Sequence, residues 1–219
     1  MPDAGLALGS SGPLVVFGGS FDPVHKGHLQ AADEAAQQLG AAKVFLLPCH
    51  IPPHKGPLMA TPAQRLAMLT LAIADYPRLA IDPWELEQNK PSYTVDTLQR
   101  YRREYGDIIS LIFLMGWDSL QTLPSWYHWQ KLESLTHFAV WERPGYTELP
   151  PAVSQWLASR ELRAEQLSQS ACGGVSFIPT TANNISSTQL RNAILTGAEE
   201  AYIPSNVRHY INEQGLYSR

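Results

Sequence analysis

Residues 14–28 read LVVFGGSFDPVHKGH, and this stretch joins a predicted strand to a predicted helix. The apolar run at 14–17 is typical of a short buried strand. Apolar residues then recur at helical spacing from Leu29 to Leu39, and Gly40 is a natural helix stop. A strand, a glycine-rich turn and a helix in this order predict one unit of an α/β fold.

The rest of the chain repeats this alternation of strands and helices. Further buried strands are predicted at residues 44–47, 79–81, 108–115, 138–141 and 175–178. Helices are predicted at residues 61–75, 94–105, 126–135, 153–158, from 186 onward and 205–214. Crossover connections of this kind make neighbouring strands parallel. The sequence therefore predicts a Rossmann-like, doubly wound α/β fold, with a mostly parallel sheet covered by helices on both faces.

Length and composition indicate how many domains the chain forms, in which compartment it works and which kinds of partner it binds. We expect residues 1–12 to form a disordered tail and residues 13–219 a single domain. The formal net charge of −4 argues against a broad nucleic-acid surface, which would need to be basic. Cys49 and Cys172 have no CxxC spacing, so we expect a reducing, cytoplasmic location. We expect no membrane partner, because no apolar run approaches the ~18 residues of a membrane span and the N-terminus lacks the basic residues of a signal peptide.

The turn after the first strand has the residues of a phosphate site. Ligands of parallel α/β sheets bind beyond the carboxyl ends of the strands. Gly18 and Gly19 lie there, and glycine lets backbone N–H groups approach a ligand closely. The next helix points its N-terminus, which carries about half a positive charge, at this turn. His25 and His28 lie three apart at the helix start, so both rings can donate hydrogen bonds to the same anion.

Two other interpretations of this turn stay open at this point. It could be a tight turn without a ligand, with the histidines on the surface or capping the helix. It could also be a zinc site, because Cys49, His50 and His54 follow the next strand. Against zinc, Pro52-Pro53 stiffens that loop, and the spacing matches no established zinc pattern.

A second predicted helix start, near the C-terminus, also carries side chains that can bind phosphate. Residues 185–191 read ISSTQLR, in which Ser186 and Gln189 form a capping-box pattern. Arg191 lies one turn after Ser187 and can fork onto phosphate oxygens. Simple capping with a surface arginine is the alternative. Two such helix ends, both beyond strands, favour a polyphosphate over a single phosphate.

Aromatic residues near the middle of the chain offer a place for a flat ring. Trp126, in PSWYHW at 124–129, is a candidate for stacking on a ring, whereas we expect Trp129 in the core. Thr94 is predicted to cap the helix at 94–105, and the backbone before it could hold a ligand edge. The chain has no Gly-x-Ser-x-Gly motif, no P-loop and no paired-carboxylate motif, which argues against a hydrolase or an ordinary NTPase.

Taken together, these motifs resemble the nucleotidylyltransferases. In that superfamily an (H/T)xGH element and an SSTxxR element hold ATP, and here they are His25–His28 and Ser186–Arg191. Further stretches are similar to bacterial nicotinate-nucleotide adenylyltransferases: PPHK at 52–55, PSYT at 91–94, MGWDSL at 115–120, PSWY at 124–127, ERPGY at 142–146 and YINEQGLY at 210–217. The chain departs from that family at Cys49-His50, where the family carries Asn-type residues.

The resemblance implies transfer of AMP from MgATP to nicotinate mononucleotide, which gives deamido-NAD and pyrophosphate without a covalent enzyme intermediate. It implies Mg²⁺ held mainly by phosphates and no metal ligand from a protein side chain. The implied ATP-binding residues are Gly18, Gly19, Ser20, Phe21, His25, His28, Gly116, Asp118, Ile185, Ser187 and Arg191. His25, His28 and Arg191 are the implied catalytic residues, with His28 the main stabiliser of charge.

For the mononucleotide, the resemblance implies contacts to the ring, its carboxylate and its phosphate. The implied residues are His54, Lys55, Tyr93, Thr94, Trp126, Tyr127 and Arg143. Trp126 would stack on the pyridine ring, and the backbone near Tyr93 and Tyr127 would bind the carboxylate. The alternatives are the same chemistry on nicotinamide mononucleotide or a pantetheine phosphate, or a non-catalytic nucleotide- or zinc-binding module.

Overall fold

Six parallel strands form one sheet at the centre of the structure, a computed structural model that describes residues 12–52, 56–141, 148–181, 186–196 and 201–218. The strands are β1 (Leu14–Gly19), β2 (Val44–Pro48), β3 (Leu79–Ile81), β4 (Leu111–Gly116), β5 (His137–Trp141) and β6 (Val175–Ile178). Their order is β3-β2-β1-β4-β5-β6, and every pair is parallel. The predicted Rossmann-like fold is confirmed, and the sheet is parallel throughout its described strands.

Helices cover both faces of this sheet. They are α1 (Lys26–Gln38), α2 (Pro62–Ala72), α3 (Trp84–Glu87), α4 (Thr94–Tyr105), α5 (Trp117–Thr122), α6 (Trp129–Leu132), α7 (Pro151–Leu157), α8 (Ser187–Thr196) and α9 (Ser205–Glu213), with 3-10 turns at Leu123–Ser125 and Ala164–Gln169. Alternate residues of β1 enter two cores: Val15 packs with α1, and Val16 packs with α4. This alternation follows from the twofold side-chain period of a strand.

The strand order reverses direction between β1 and β4. The chain runs outward from β1 through β2 and β3, then returns to the other side of β1 with β4. The crevice beyond the carboxyl ends of β1 and β4 is therefore the switch point, where such sheets bind ligands.

Several local predictions differ from the structure, among them the helix predicted at 61–75, which ends at Ala72. The strand predicted at 108–115 begins only at Leu111, because Ile108 is 93% exposed on the preceding turn. The helix predicted at 126–135 is reduced to α6, because His128 adopts a left-handed φ of 52° that no α-helix accommodates. The cap of α4 is Tyr93 rather than Thr94, and Thr94 is the first helical residue.

Candidate active site

A cavity of about 510 Å³ opens at the switch point between β1 and β4. We call it the switch-point cavity; its lining is Phe17, Gly18, Gly19, Ser20, Asp22, His25, His28, Gly56, Pro57, Leu58, Met59, Gly116, Asp118, Ser119, Trp141, Ser186, Ser187, Thr188 and Arg191. The predicted phosphate turn and the predicted second helix start thus meet at one site, although about 160 residues separate them in the chain.

The two histidines form a reciprocal capping box at the start of α1. The Nδ1 atom of His25 accepts from the backbone N–H of His28, and Nδ1 of His28 accepts from the backbone N–H of His25, both at 3.3 Å. Because Nδ1 is the acceptor in each ring, the proton of each neutral imidazole lies on Nε2. The Nε2 atom is therefore the hydrogen-bond donor of each neutral ring, and both rings line the cavity.

The start of α8 forms the opposite wall. Ser186 and Gln189 make the predicted capping box, with Gln189 N–H donating to Ser186 Oγ at 3.2 Å. The Arg191 guanidinium donates to the backbone carbonyl of Asp22 at 2.8 Å, and the Ser187 hydroxyl donates to that of Pro23 at 3.4 Å. These contacts bring the N-terminus of α8 against the β1–α1 loop, so two positive helix ends face the cavity.

Two buried residues that the sequence reasoning missed hold the β1–α1 loop. Arg65 of α2 is fully buried and donates to the carbonyls of Ser20 at 2.8 Å and His50 at 3.4 Å. Asp22 is 2% exposed, and its carboxylate accepts from the backbone of the segment after residue 55. The sequence around these residues predicted neither role. Arg65 has the pattern of a surface residue in a helix, and Asp22 that of an Asp-Pro turn.

A second cavity, of about 600 Å³, adjoins the first. We call it the aromatic cavity; its lining is Gly18, Gly19, Ser20, Leu47, Cys49, Pro52, Glu85, Ser92, Tyr93, Thr94, Phe113, Asp118, Ser119, Thr122, Ser125, Trp126 and Tyr127. The two cavities share Gly18–Ser20, Asp118 and Ser119, so a ligand can extend from one into the other.

Trp126 is half-buried in the aromatic cavity and packs edge-on against Phe113, with ring centroids 6.0 Å apart. The rings of Tyr93 and Tyr127 lie 4.7 Å apart at the same cavity. Tyr93 caps α4 with no side-chain bond to its first turn, so the free backbone N–H groups of α4 begin at this wall. The cavity therefore combines aromatic surface with a helix N-terminus that suits an anion.

Two carboxyl groups, Asp118 and Glu85, line the aromatic cavity, and no sequence motif pointed to Glu85. Burial raises the pKa of the Glu85 carboxyl above its ordinary value, and hydrogen bonds from Thr97 and Ser92 offset part of that shift. The Thr97 hydroxyl donates to Glu85 Oε1 at 2.6 Å. The shift favours the neutral form of Glu85, which lowers its repulsion of an anionic ligand.

The structure places most of the predicted site residues together and relocates one. Phe21 was expected beside the phosphates, but its ring is fully buried beneath Gly19 and against His28, with ring centroids 5.2 Å apart. Cys49 lines the aromatic cavity, whereas His50 Nδ1 is buried without a hydrogen-bond partner among the described residues. Four expected contacts, His54, Lys55, Arg143 and Ile185, lie outside the described residues, as does nearly all of the expected tail.

Within the parts of the chain that the structure describes, no three His, Cys, Asp or Glu side chains are grouped to hold a metal ion. Among the described helices, none combines the length and apolar character needed to span a bilayer.

The comparisons with known proteins agree with this geometry. A family model described as cytidylyltransferase-like matches residues 16–193. A probable nicotinate-nucleotide adenylyltransferase of Aeromonas salmonicida is 42% identical over 208 residues, covering 94% of this chain and 97% of the relative. One of Saccharophagus degradans is 40% identical over 214 residues, covering 94% and 96%. The solved Plasmodium falciparum nicotinic acid mononucleotide adenylyltransferase complexed with NaAD aligns at a TM-score of 0.73 and 19% identity, covering 94% of this chain and 97% of that one.

A parallel α/β sheet with a glycine turn, two imidazoles and a second helix N-terminus at its switch point defines a nucleotide-binding protein of the nucleotidyltransferase type. The sequence identity of the matches and the share of the chain that they cover then show the family. The chain belongs to the cytidylyltransferase-like family and, within it, to the nicotinate-nucleotide adenylyltransferases.

Proposed function

We propose that this protein transfers AMP from ATP to nicotinate mononucleotide, with deamido-NAD and pyrophosphate as products. One observation carries the proposal: a polar cavity walled by two helix N-termini adjoins an aromatic cavity at the switch point. The first suits a polyphosphate, and the second suits a flat ring that carries an anion. The residues that they share would then lie where the two substrates meet.

ATP binds in the switch-point cavity. Gly18, Gly19 and Ser20 approach the phosphates through their backbone, and Phe21 contributes only backbone because its ring is buried. His28 donates through Nε2 to phosphate oxygens, and His25, whose Nε2 is buried beside it, is the second proposed contact. Gly116 and Asp118 lie on the adenosine side. The Ser187 hydroxyl and the Arg191 guanidinium bind the pyrophosphate end, with Ile185 as a further expected contact.

Nicotinate mononucleotide binds in the aromatic cavity. Trp126 stacks on the pyridine ring, and the backbone N–H groups of Tyr93, Thr94 and Tyr127 bind its carboxylate. The raised pKa of Glu85 supports this assignment, because the shift weakens the repulsion between this carboxyl group and a carboxylate in the same cavity. His54, Lys55 and Arg143 are the proposed contacts for the phosphate of the mononucleotide.

The chemistry that fits is direct, in-line attack by the mononucleotide phosphate on the α-phosphorus of ATP. The bond from this phosphorus to the bridging oxygen breaks, and pyrophosphate leaves toward Arg191. Direct transfer needs no side-chain nucleophile, so the residues contribute orientation and stabilise charge on the transferring group. His28 is the principal donor of this kind in our proposal, with His25 beside it.

Nucleotidyltransferases that use ATP generally need a divalent metal, and we propose Mg²⁺. The carboxylates that line the switch-point cavity are Asp22 and Asp118, and Asp22 already accepts from two backbone N–H groups and the Tyr217 hydroxyl. This donor set fits an ion held mainly by phosphate oxygens and water, without a protein side chain as ligand. When bound, Mg²⁺ would neutralise charge on the phosphates.

We infer a cytoplasmic location from the two cysteines without CxxC spacing. We also propose that residues 13–219 form one domain preceded by a short tail, which limited proteolysis would test.

A paired assay tests the proposed function. Purified protein is given MgATP with either nicotinate or nicotinamide mononucleotide, and pyrophosphate release is measured. We expect turnover with both or with the acid alone, and a higher kcat/KM for the acid. Preference for the amide would contradict the substrate assignment, and binding of ATP without turnover would contradict the chemistry.

A further inference from the structure

The C-terminal end of the chain returns to the active site. After α9 the chain passes Gly215 and buries Tyr217, which is 5% exposed, against the β1–α1 loop. The Tyr217 hydroxyl donates to Asp22 Oδ1 at 2.7 Å, across 195 positions of sequence. Tyr217 also has a φ of 61°, a left-handed conformation that is sterically unfavourable for an aromatic residue. Strained residues of this kind cluster at functional sites, where the surrounding contacts hold them in place.

Asp22 joins this tyrosine to two walls of the switch-point cavity. Its Oδ2 accepts from the Met59 N–H at 2.8 Å, and its Oδ1 accepts from the Ala60 N–H at 3.0 Å. Its backbone carbonyl accepts from the Arg191 guanidinium at 2.8 Å. Met59 and Arg191 both line the cavity in which we place ATP. The Asp22 side chain thus holds the backbone at Met59 and Ala60, while its backbone carbonyl anchors Arg191.

We propose that Tyr217 is a positioning residue for ATP, whose buried hydroxyl fixes Asp22 and thereby holds Met59 and Arg191 at the switch-point cavity. This inference rests on the proposed function, since it names a residue that acts on the ATP side of that site. Tyr217 lines neither the switch-point cavity nor the aromatic cavity, so it acts through Asp22 and not by contact with substrate.

The electrostatic environment keeps the Tyr217 hydroxyl protonated, so that it remains the donor of this hydrogen bond. Burial and the neighbouring Asp22 carboxylate raise the pKa of Tyr217 far above its ordinary value, so its hydroxyl stays protonated as a donor. Arg191 and Arg65 lie close enough to oppose part of that shift. It costs free energy to remove one hydrogen-bond donor from a buried carboxylate. The Tyr217 hydroxyl therefore helps to determine the position of Asp22.

The effect should be confined to one substrate. The aromatic cavity is walled by Trp126 and the start of α4, and neither of them hydrogen-bonds to Asp22 or Tyr217 among the described contacts. Loss of the Tyr217 hydroxyl should therefore weaken the handling of ATP and leave the binding of the mononucleotide unchanged.

The test is Tyr217→Phe beside a matched control, Tyr101→Phe. Tyr101 is also fully buried and donates its hydroxyl to a buried aspartate, Asp82, but it lines neither cavity. Each variant removes one hydroxyl from an aspartate that keeps other partners. The measurements are kcat and KM for each substrate, the Kd of ATP by calorimetry, and thermal unfolding of both variants.

We expect Tyr217→Phe to lower kcat/KM for ATP by about tenfold, the range set by one hydrogen bond to a charged group. Its KM for the mononucleotide should stay within about twofold of wild type, and Tyr101→Phe should keep wild-type kinetics whatever stability it loses. The inference is overturned if Tyr217→Phe has wild-type kcat/KM for ATP, if Tyr101→Phe loses as much, or if both substrates weaken in parallel. If wild-type protein transfers no AMP, the proposed function fails, and an unchanged or weakened ATP Kd in Tyr217→Phe still decides this inference.

Discussion

The imidazole rings of His25 and His28 stack with their centroids 3.6 Å apart and their planes 25° from parallel. The stack follows from the capping box, in which each Nδ1 accepts from the backbone N–H of the other residue. His25 is the N-cap of α1 and is 2% exposed, whereas His28 lies one turn in and is half-buried. The arrangement assigns helix capping mainly to His25 and leaves His28 better placed to contact a ligand.

This division predicts different losses for the two rings. His28→Ala should lower kcat by about 10²–10³ with a small change in stability, the usual loss for one donor that stabilises charge. His25→Ala should lower the free energy of unfolding by about 1 kcal/mol, because the cap is lost. His25→Asn should restore the stability, since Asn is a good N-cap, without restoring the ring. Steady-state kinetics and urea unfolding of the three variants measure both effects.

Wild-type turnover in His28→Ala would remove that ring from the mechanism. Equal loss of stability in the two alanine variants would contradict the assignment of capping to His25. Activity in His25→Asn then reports what the His25 ring adds beyond its cap.

Trp126 and Trp129 form a matched pair for the aromatic cavity. Both are half-buried against the same core, but only Trp126 lines the cavity, while Trp129 packs on Trp156 with ring centroids 6.2 Å apart. Loss of stacking, worth about 1–3 kcal/mol, should raise the KM of Trp126→Ala for the mononucleotide by about tenfold to a hundredfold. The KM for ATP should change less than about twofold.

Trp129→Ala should lose stability and keep both KM values. Equal weakening of the binding of both substrates in Trp126→Ala would instead assign Trp126 a structural role.

Local patterns were enough to predict most of the fold and both helix ends of the site. The stretch from Leu14 to His28 and the motif from Ser186 to Arg191 carry their own capping and turn residues, so neighbours in sequence decide their conformation. Parallel strands then bring them to one edge without any further information.

The contacts that hold the site together could not be predicted in this way. The bond from Tyr217 to Asp22 joins the two ends of the chain, and no spacing rule relates them. Arg65 sits in a helix as a polar residue would on the surface, and only tertiary packing buries it. The helix predicted from Trp126 begins only at Trp129 for the same kind of reason, since the left-handed φ of His128 depends on its surroundings.

His137 predicts how stability depends on pH. It is fully buried at the start of β5, where Nδ1 accepts from the Gly174 N–H at 2.8 Å and Nε2 lies 2.9 Å from the Ser170 carbonyl. Burial lowers the pKa of His137 below 6.5, so the unfolded chain binds a proton more readily than the folded chain. Stability should thus be full above pH ~6.5 and fall as the pH drops below it, with a slope from this group of at most about 1.4 kcal/mol per pH unit.

Urea unfolding at several pH values between pH ~5 and ~8 measures this slope. His137→Asn should be less stable throughout but should lose the part of the slope that belongs to His137. His209→Gln serves as the control, because His209 is exposed beside Glu213. An unchanged slope in His137→Asn would show that other groups carry the dependence.

Glu85 predicts a pH dependence of substrate binding. Its raised pKa keeps it neutral at lower pH, and ionisation as the pH rises places a negative charge in the aromatic cavity. Asp82 and Asp96 add to the upward shift, and Lys90 lines the crevice beside Glu85. The KM for nicotinate mononucleotide should therefore rise with pH, because two carboxylates then repel each other.

Glu85→Gln separates this effect from every other titration, because it keeps the shape of the side chain and removes its charge. In this variant the KM for nicotinate mononucleotide should stay level over the pH range in which the wild-type KM rises. Nicotinamide mononucleotide, whose ring carries no charge at the same position, should show a level KM with both proteins if it binds at all. Because both mononucleotides share the same phosphate, a rise seen with the acid alone belongs to the ring carboxylate. A wild-type KM that is level for the acid, or one that rises equally in Glu85→Gln, would contradict the role of Glu85 at this cavity.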